Sequence, residues 1–147
     1  MSANRCILAC VTPQVSCSKL IETGKVLAKQ NDVTLEILCV FPQKACLNPN
    51  VEALCELQRV ATEADAPMTI VFNDSPVLAA SSYAVKKKAF TLLTGFPREN
   101  SSKFIESFHA ILPEIPISMV DDDGKVYRII PSQGVRQPVR QSIIKNI

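Results

Sequence analysis

One segment of the sequence combines residue types that bind anions. It runs Gly95-Phe-Pro-Arg98-Glu-Asn-Ser101-Ser102-Lys103 and offers a guanidinium, hydroxyls and an ammonium before a predicted helix. Unpaired N–H groups and the helix dipole attract phosphate to a helix N-terminus. The segment therefore predicts an anion-binding loop, with the alternative that Gly95 only turns the chain and Ser101 only caps the helix. The sequence contains neither a Walker loop nor a GxGxxG fingerprint.

Residue types that catalyse reactions or bind metals are sparse. His109 is the only histidine, and no nucleophile or acid is brought to it by spacing. The six cysteines form no CxxC pair, so zinc ligands would lack their usual spacing. A solvated turn explains Asp121-Asp122-Asp123 better than a divalent-ion site does, because side chains alternate across a strand. We expect no enzymatic activity, no catalytic residue and no metal site.

The apolar pattern alternates between short continuous runs and segments with helical spacing, which is typical of βαβ units. Strands are predicted over residues 5–11, 34–41, 68–73, 89–94 and 115–120. Helices are predicted over 18–30, 51–64, 76–88 and 102–112. Asp123-Gly124 predicts a type I′ hairpin turn, in which both central residues have positive φ, before an antiparallel strand over 125–130.

These elements predict an α/β fold with a doubly wound, five-stranded parallel sheet of order 3-2-1-4-5, helices on both faces and a C-terminal β-hairpin extension. A sheet of this kind opens a ligand crevice where the strand order reverses, here between the first and fourth strands. Segments 11–18 and 94–103 would form its walls. Residues 1–130 are the predicted domain, and 131–147 are a basic tail. The tail is either partly ordered or a short amphipathic piece that packs on a partner subunit.

Composition narrows the class of protein. Hydrophobic residues make up 47% and charged residues 20%, which is typical of a packed globular chain. Sixteen basic against fourteen acidic residues leave a net charge of +2, too small to indicate nucleic acid. The apolar stretch near the N-terminus is too short to span a membrane, so no membrane association is expected. Cysteines in a chain without a secretory signal indicate a reducing compartment, and a cytoplasmic location is expected.

The order of elements and several strings resemble the universal stress protein (UspA-like) family, within the adenine-nucleotide α-hydrolase-like group, over about residues 5–120. Cys6-Ile-Leu-Ala-Cys-Val11 with residues 16–29 resembles the family's first strand and helix, and residues 35–40 resemble its second strand. A closer resemblance is to the universal-stress domain of KdpD-type potassium-sensor kinases. The strings that resemble its fourth strand, the following loop and the next strand are Leu93-Thr-Gly95-Phe-Pro97-Arg98, Ser102-Lys103-Phe104 and Ile115-Pro-Ile-Ser-Met-Val120.

This resemblance implies where a nucleotide would bind. In ATP-binding members an acidic residue ends the first strand, and a valine of the second strand contacts adenine through its backbone; Thr12 and Val40 hold these positions. The phosphate motif of those members is G-x-x-G, nine residues, then G-S/T. Gly95 matches its first glycine, Arg98 replaces the second, and Phe108-His109 stands in place of Gly-Ser. Arg98 would offer positive charge to a phosphate.

Some sensor-kinase relatives bind a cyclic dinucleotide, and Ser16-Cys17-Ser18 resembles a serine pair used there. The candidate ligands are therefore an adenine nucleotide, ATP or AMP, or a cyclic dinucleotide. The expected ligand-binding residues are Thr12, Pro13, Ser16, Ser18, Val40, Gly95, Arg98, Ser101 and Ser102.

Two functions stay open at this point. One is a regulatory domain that senses a nucleotide in signalling or stress response. The alternative is a homodimer that binds no nucleotide, is joined through the C-terminal strand edge and acts on a regulatory protein partner in stress or potassium-transport regulation, since an exposed strand edge invites pairing. A hydrolase or transferase of nucleotides ranks last.

Overall fold

The first strand lies at the centre of the sheet and is covered on both faces. In the computed structural model of the chain, β1 spans Cys6–Val11, and Ile7, Leu8 and Ala9 are 0% exposed. Successive side chains of a strand point to opposite faces, so a continuous apolar run is stable only when helices cover both of them.

The structure describes residues 5–11, 17–48, 51–95, 102–129 and 143–144, and at 17, 18, 53, 102, 143 and 144 it describes the backbone alone. The helices are α1 (Cys17–Asn31), α2 (Val51–Glu63), α3 (Pro76–Lys87) and α4 (Ser102–Ile111), with a short 3₁₀ helix over Gln43–Cys46. The strands after β1 are β2 (Thr34–Phe41), β3 (Met68–Phe72), β4 (Ala89–Gly95), β5 (Ile117–Val120), β6 (Val126–Ile129) and β7 (Ile143–Ile144). Within these ranges, no helix is long and apolar enough to cross a membrane.

The strands form one sheet of order β3-β2-β1-β4-β5-β6-β7. The first five strands of that order are parallel, and β6 returns antiparallel to β5. The predicted order 3-2-1-4-5 and the C-terminal hairpin are thus confirmed. Strand β7 is an addition, because Ile143 and Ile144 pair with β6 of the same chain. Without β7, backbone N–H and C=O groups along the outer edge of β6 would lack a partner. Their pairing favours a strand at Ile143 and Ile144 over the predicted amphipathic piece.

Two apolar layers cover the sheet. On one face, here called the α1/α2 face, Ile21 and Leu57 pack over odd-numbered residues of β1 and β2 such as Ile7 and Ile37. On the other, the α3/α4 face, Ala84 and Phe108 pack over Leu8 and Leu38. Because α1 follows β1 on one face while α4 follows β4 on the other, the sheet is doubly wound.

Helix α1 lies close to the sheet at Gly24. A Cβ atom at this position would be 2.9 Å from Leu35 Cδ1 in β2 and 3.0 Å from Leu93 Cδ2 in β4. The glycine therefore lets α1 lie directly over β1, which runs between those two strands.

Three helices end on a residue other than glycine in the left-handed conformation. Asp32, Asp65 and Lys88 have φ of 57°, 58° and 56°. The Lys88 N–H donates to the carbonyls of Ala84 and Val85, which closes the end of α3. Left-handed backbone strains residues that carry a Cβ, and lysine lacks the local hydrogen bonding that helps aspartate there.

We predict that Lys88→Gly raises the free energy of unfolding by about 0.5–1 kcal/mol, because relief of the backbone strain exceeds the extra entropy of the unfolded chain. Urea unfolding measures the change. The matched control is Lys86→Gly in the same helix, which should lower the free energy of unfolding by about 1 kcal/mol. Changes of the same sign in the two variants would contradict the prediction.

Candidate functional site

The strand order reverses between β1 and β4. These strands are neighbours, yet α1 and α4, which follow them, pack on opposite faces. The carboxyl ends of the parallel strands lie along one edge of the sheet, at Val11, Phe41, Gly95 and Val120. Ligands of doubly wound proteins bind in the crevice that such a reversal leaves open. The topology thus puts a crevice at this edge, between Val11 and Gly95.

The nine predicted ligand-binding residues fall into three groups. Val40 and Gly95 are described in full, and both lie at the edge of the sheet that borders the crevice. Ser18 is the second residue of α1 and Ser102 the first of α4, with only their backbones described. The residues that lie outside the described ranges are Thr12, Pro13, Ser16, Arg98 and Ser101.

Gly95 ends β4 beside Val120 of β5. Its φ is not in the left-handed region, and no described atom lies within 4 Å of the position that a Cβ would take. Neither backbone conformation nor packing among the described residues therefore requires glycine here. A glycine at the end of a strand, with no described atom near its Cβ position, allows a ligand to approach the backbone.

Val40 presents its carbonyl toward β1. The N–H of Ile37 donates to the Pro67 carbonyl, and the N–H of Asn73 donates to the Phe41 carbonyl, so odd-numbered residues of β2 bond to β3. The backbone groups of Val40 consequently point the other way, past Val11, the last residue of β1. To continue the hydrogen bonds between β1 and β2, the Val40 carbonyl would need the N–H of residue 13. That residue is a proline and has no N–H. The Val40 carbonyl is placed to accept a hydrogen bond from a ligand.

The N-termini of α1 and α4 open at the same edge. Neither helix has an acidic residue in its first turn, whereas Lys19 and Lys103 occupy first-turn positions and are exposed. Cations destabilise a helix N-terminus, and an anion bound there offsets this effect. Lys19 is not among the predicted ligand-binding residues, although the helix predicted over 18–30 already puts it in the first turn.

The hairpin turn after β5 stands next to the crevice and differs from the prediction. Gly124 has φ of 86°, but Asp123 is not in the left-handed region, so the predicted type I′ turn is wrong. The Gly124 N–H donates to the Asp121 carbonyl, which makes a type I turn followed by a left-handed glycine. Residues 122–124 form the loop between Asp121 and Lys125, and the five residues 121–125 join Val120 to Val126 in their observed register.

Asp121 stabilises that turn. Its Oδ1 accepts hydrogen bonds from the N–H groups of Asp123 and Lys125, each at 2.9 Å. The hydrogen bond from the Lys125 backbone is the main cause that lowers the pKa of Asp121. The carboxylate thus serves the turn, and the described residues contain no group of three or more His, Cys, Asp or Glu side chains that could hold a metal ion.

Phe108 and His109 lie well inside α4. Phe108 is 0% exposed and belongs to the apolar layer on the α3/α4 face, with its ring centroid 6.3 Å from that of Phe104. His109 follows it on the helix, and its Nδ1 is buried without a hydrogen-bond partner. The two positions that align with Gly-Ser of the phosphate motif therefore lie in a helix instead of a loop, and Phe108 belongs to the core.

Two thiols of β1, at Cys6 and Cys10, are poor nucleophiles at neutral pH. Burial raises the pKa of the Cys10 thiol to about 12 and that of the Cys6 thiol to about 11. A thiol reacts as its thiolate, so both side chains act as small apolar groups here.

No protein-family model matches the sequence, and no curated protein matches it. Solved structures do share its fold. A universal stress protein in complex with cAMP has a TM-score of 0.60 at 17% identity, over 82% of this chain and 99% of that one. A universal stress protein from Archaeoglobus fulgidus has a TM-score of 0.62 at 11% identity, over 77% and 90%. The zinc inhibited form of teicoplanin deacetylase Orf2 has a TM-score of 0.54 at 10% identity, over 90% and 73%. The predicted likeness to universal stress proteins is confirmed at the level of the fold.

Proposed function

We propose that this chain is a regulatory domain that binds a nucleotide in the crevice between β1 and β4. The observation that carries the proposal is the convergence of two helix N-termini at one edge of the sheet, each with a lysine and no acid in its first turn. Interactions of an anion with a helix N-terminus contribute about 0.3–2 kcal/mol each. A phosphate held between the two would be recognised by its charge.

Two further features provide places for the rest of the ligand. The Val40 carbonyl can accept a hydrogen bond from an amino group such as that of adenine. Gly95 has no side chain and no described atom near its Cβ position, so the sugar or phosphate can lie against the end of β4. Arg98, in the segment between β4 and α4, supplies a guanidinium that binds phosphate oxygens in pairs.

The ligand class that fits best is a nucleotide with a compact phosphate, such as AMP, cyclic AMP or a cyclic dinucleotide. Thr12 offers no carboxylate to a magnesium ion, and Phe108 is buried in α4 instead of contributing to a loop. One structural neighbour was solved in complex with cAMP, which supports this class. Magnesium-bound ATP is the weaker candidate.

Recognition without catalysis is the role we assign to the crevice, in a signalling or stress-response domain that acts in the cytoplasm. The resemblance of 93–98 and 115–120 to the KdpD-type domain favours a regulatory link to potassium sensing. The raised pKa values keep the Cys6 and Cys10 thiols protonated at neutral pH, so these residues are unsuited to nucleophilic catalysis.

Calorimetric titration tests the proposal with AMP, cyclic AMP, cyclic di-AMP, and ATP with and without magnesium. We expect at least one of the first three to bind with a Kd below about 1 mM, which corresponds to about −4 kcal/mol. We also expect that magnesium does not raise the affinity of the protein for ATP. If none of the ligands binds more tightly than about 1 mM, the proposal is wrong.

Removal of the guanidinium should weaken binding. We predict that Arg98→Ala raises Kd by about 10–100-fold, since a hydrogen bond to a charged group contributes about 1.5–3 kcal/mol. The same titration measures it. Lys86→Ala is the matched control, because this exposed lysine lies in the last turn of α3, at the end of the sheet opposite the crevice. Equal losses in both variants would point to non-specific charge attraction instead of a site.

A further inference from the structure

Strand β3 leaves one edge of the sheet without a partner strand among the described residues. Its sequence, MTIVF, contains no charge, no proline and no glycine. All five side chains are partly or fully accessible, and Ile70 is 37% exposed. Natural proteins usually protect such an edge with lysine, proline or a bulge, because an unprotected edge pairs with other chains. This edge has none of these protections within β3.

The surface beside that edge is uncharged as well. A groove of about 410 Å³ runs between α2 and β3, and its lining includes Leu54, Gln58, Thr62 and Ile70 but no charged residue. The charges of α2 lie on its other flank, where Arg59 forms ion pairs of 2.6 Å with Glu56 and 2.7 Å with Glu63. An uncharged groove along a strand edge that no described strand covers is a place where another strand can dock.

The direction of the backbone groups defines how a strand would pair. Pro67 and Asn73 form backbone hydrogen bonds with β2, so the N–H and C=O groups of the odd-numbered residues in this segment point toward β2. The N–H and C=O groups of Met68, Ile70 and Phe72 therefore point outward. Their side chains share the α1/α2 face, where Ile70 lines the groove, whereas Thr69 turns to the other face and lies 2.8 Å from the Tyr83 hydroxyl of α3.

We propose that two copies of this chain associate through antiparallel pairing of their β3 strands, about a two-fold axis at Ile70. In that register Met68 pairs with Phe72 of the second copy, Ile70 pairs with its own equivalent, and every outward backbone group finds a partner. A strand without charge meets no like charge when it pairs with itself. Each Ile70 side chain also extends the apolar lining of the facing groove.

The β3 edge is a better site of self-association than the other edge of the sheet, which β6 and β7 form. At that other end β6 occupies the edge of β5, and the described part of β7 is only Ile143–Ile144. Pairing through β3 leaves the crevice accessible, because β2 separates β3 from β1. Two nucleotide sites would thus be joined in one continuous sheet.

Cysteine cross-linking tests the register. In a background with Cys17, Cys46 and Cys55 replaced by serine, Ile70→Cys should form a disulfide-linked dimer on mild oxidation. The paired Cα atoms of a hydrogen-bonded antiparallel pair lie about 5.5 Å apart, within the range that a disulfide bridges. The control is Val71→Cys, whose equivalent is displaced along the strand and should not cross-link. Absence of the Ile70→Cys dimer, equal yields at both positions, or cross-linking of Ile143→Cys instead would overturn the proposal.

Light scattering of the unmodified chain gives an independent measurement. We expect a dimer at about 100 µM and at least a tenfold weaker dimer for Ile70→Lys, which brings two ammonium groups together on the axis. Val85→Lys is the control, because Val85 is 60% exposed on α3 and lies away from the edge. A monomer at every concentration, or a dimer that Ile70→Lys leaves unchanged, would show that β3 does not mediate self-association.

Discussion

Replacing Phe108 by glycine and His109 by serine restores the Gly-Ser of the phosphate motif in sequence, and we expect it to unfold most of the protein instead of creating an ATP site. Phe108 is 0% exposed in the middle of α4. Loss of a buried phenylalanine side chain costs about 3–5 kcal/mol, and glycine inside a helix costs about 1 kcal/mol more. The sum is comparable to the whole stability of a typical domain, about 5–15 kcal/mol.

Urea unfolding and titration with magnesium-ATP measure this outcome together. His109→Ser alone is the matched control, and we expect it to change the free energy of unfolding by less than about 1 kcal/mol, because the buried Nδ1 has no partner to lose. A folded double variant that binds magnesium-ATP would contradict the conclusion that Phe108 belongs to the core and that both residues are needed in the helix.

We expect stability to fall steeply above pH 9. Burial raises the pKa of Cys10 to about 12 and that of Cys6 to about 11, from 9.0 in an exposed thiol. Below pH 9 both thiols are protonated in the folded and the unfolded chain, so their stabilising contribution is present in full. Between pH 9 and the folded-state values, the unfolded chain releases protons that the folded chain keeps. Stability is therefore lost as pH rises, at about 1.4 kcal/mol per pH unit for Cys10 and less for Cys6.

Urea unfolding at pH 7, 9, 10 and 11 measures the slope. Cys10→Ala should flatten the decline by about 1.4 kcal/mol per pH unit. Cys46→Ala, which replaces an exposed cysteine by the same residue, is the matched control. If Cys10→Ala declines as steeply as the parent, burial of that thiol does not control its ionisation.

The elements of the fold and their order follow from local residue patterns. Ser75-Pro76 predicts the start of α3, and in the structure Pro76 is its first residue while Ser75 Oγ accepts a hydrogen bond from the Leu78 N–H at 3.4 Å. The continuous apolar run of β1 predicts a central strand, because a run of this kind needs cover on both faces. Right-handed crossovers then leave few possible orders, and the observed order is among them.

The hairpin shows where local pattern stops being sufficient. Asp123-Gly124 is compatible both with a type I′ turn and with a type I turn followed by a left-handed glycine. The register of Val120 with Val126 decides between them, because it leaves a longer connection than a two-residue turn can make. Register depends on which side chains the sheet buries, and this information is not contained in the dipeptide.

The sequence alone also identified Gly95 and Val40 as residues near the crevice, through position at strand ends and family resemblance. Only the tertiary structure decided the direction of the Val40 carbonyl and the edge of β3 that no described strand covers. Each of these depends on which strand or helix lies alongside, which is a relation between residues distant in the chain. The periodicity of apolar residues indicates which face a segment buries. The direction of its backbone hydrogen bonds and the strand edges left unpaired are determined only when the segments assemble into the sheet.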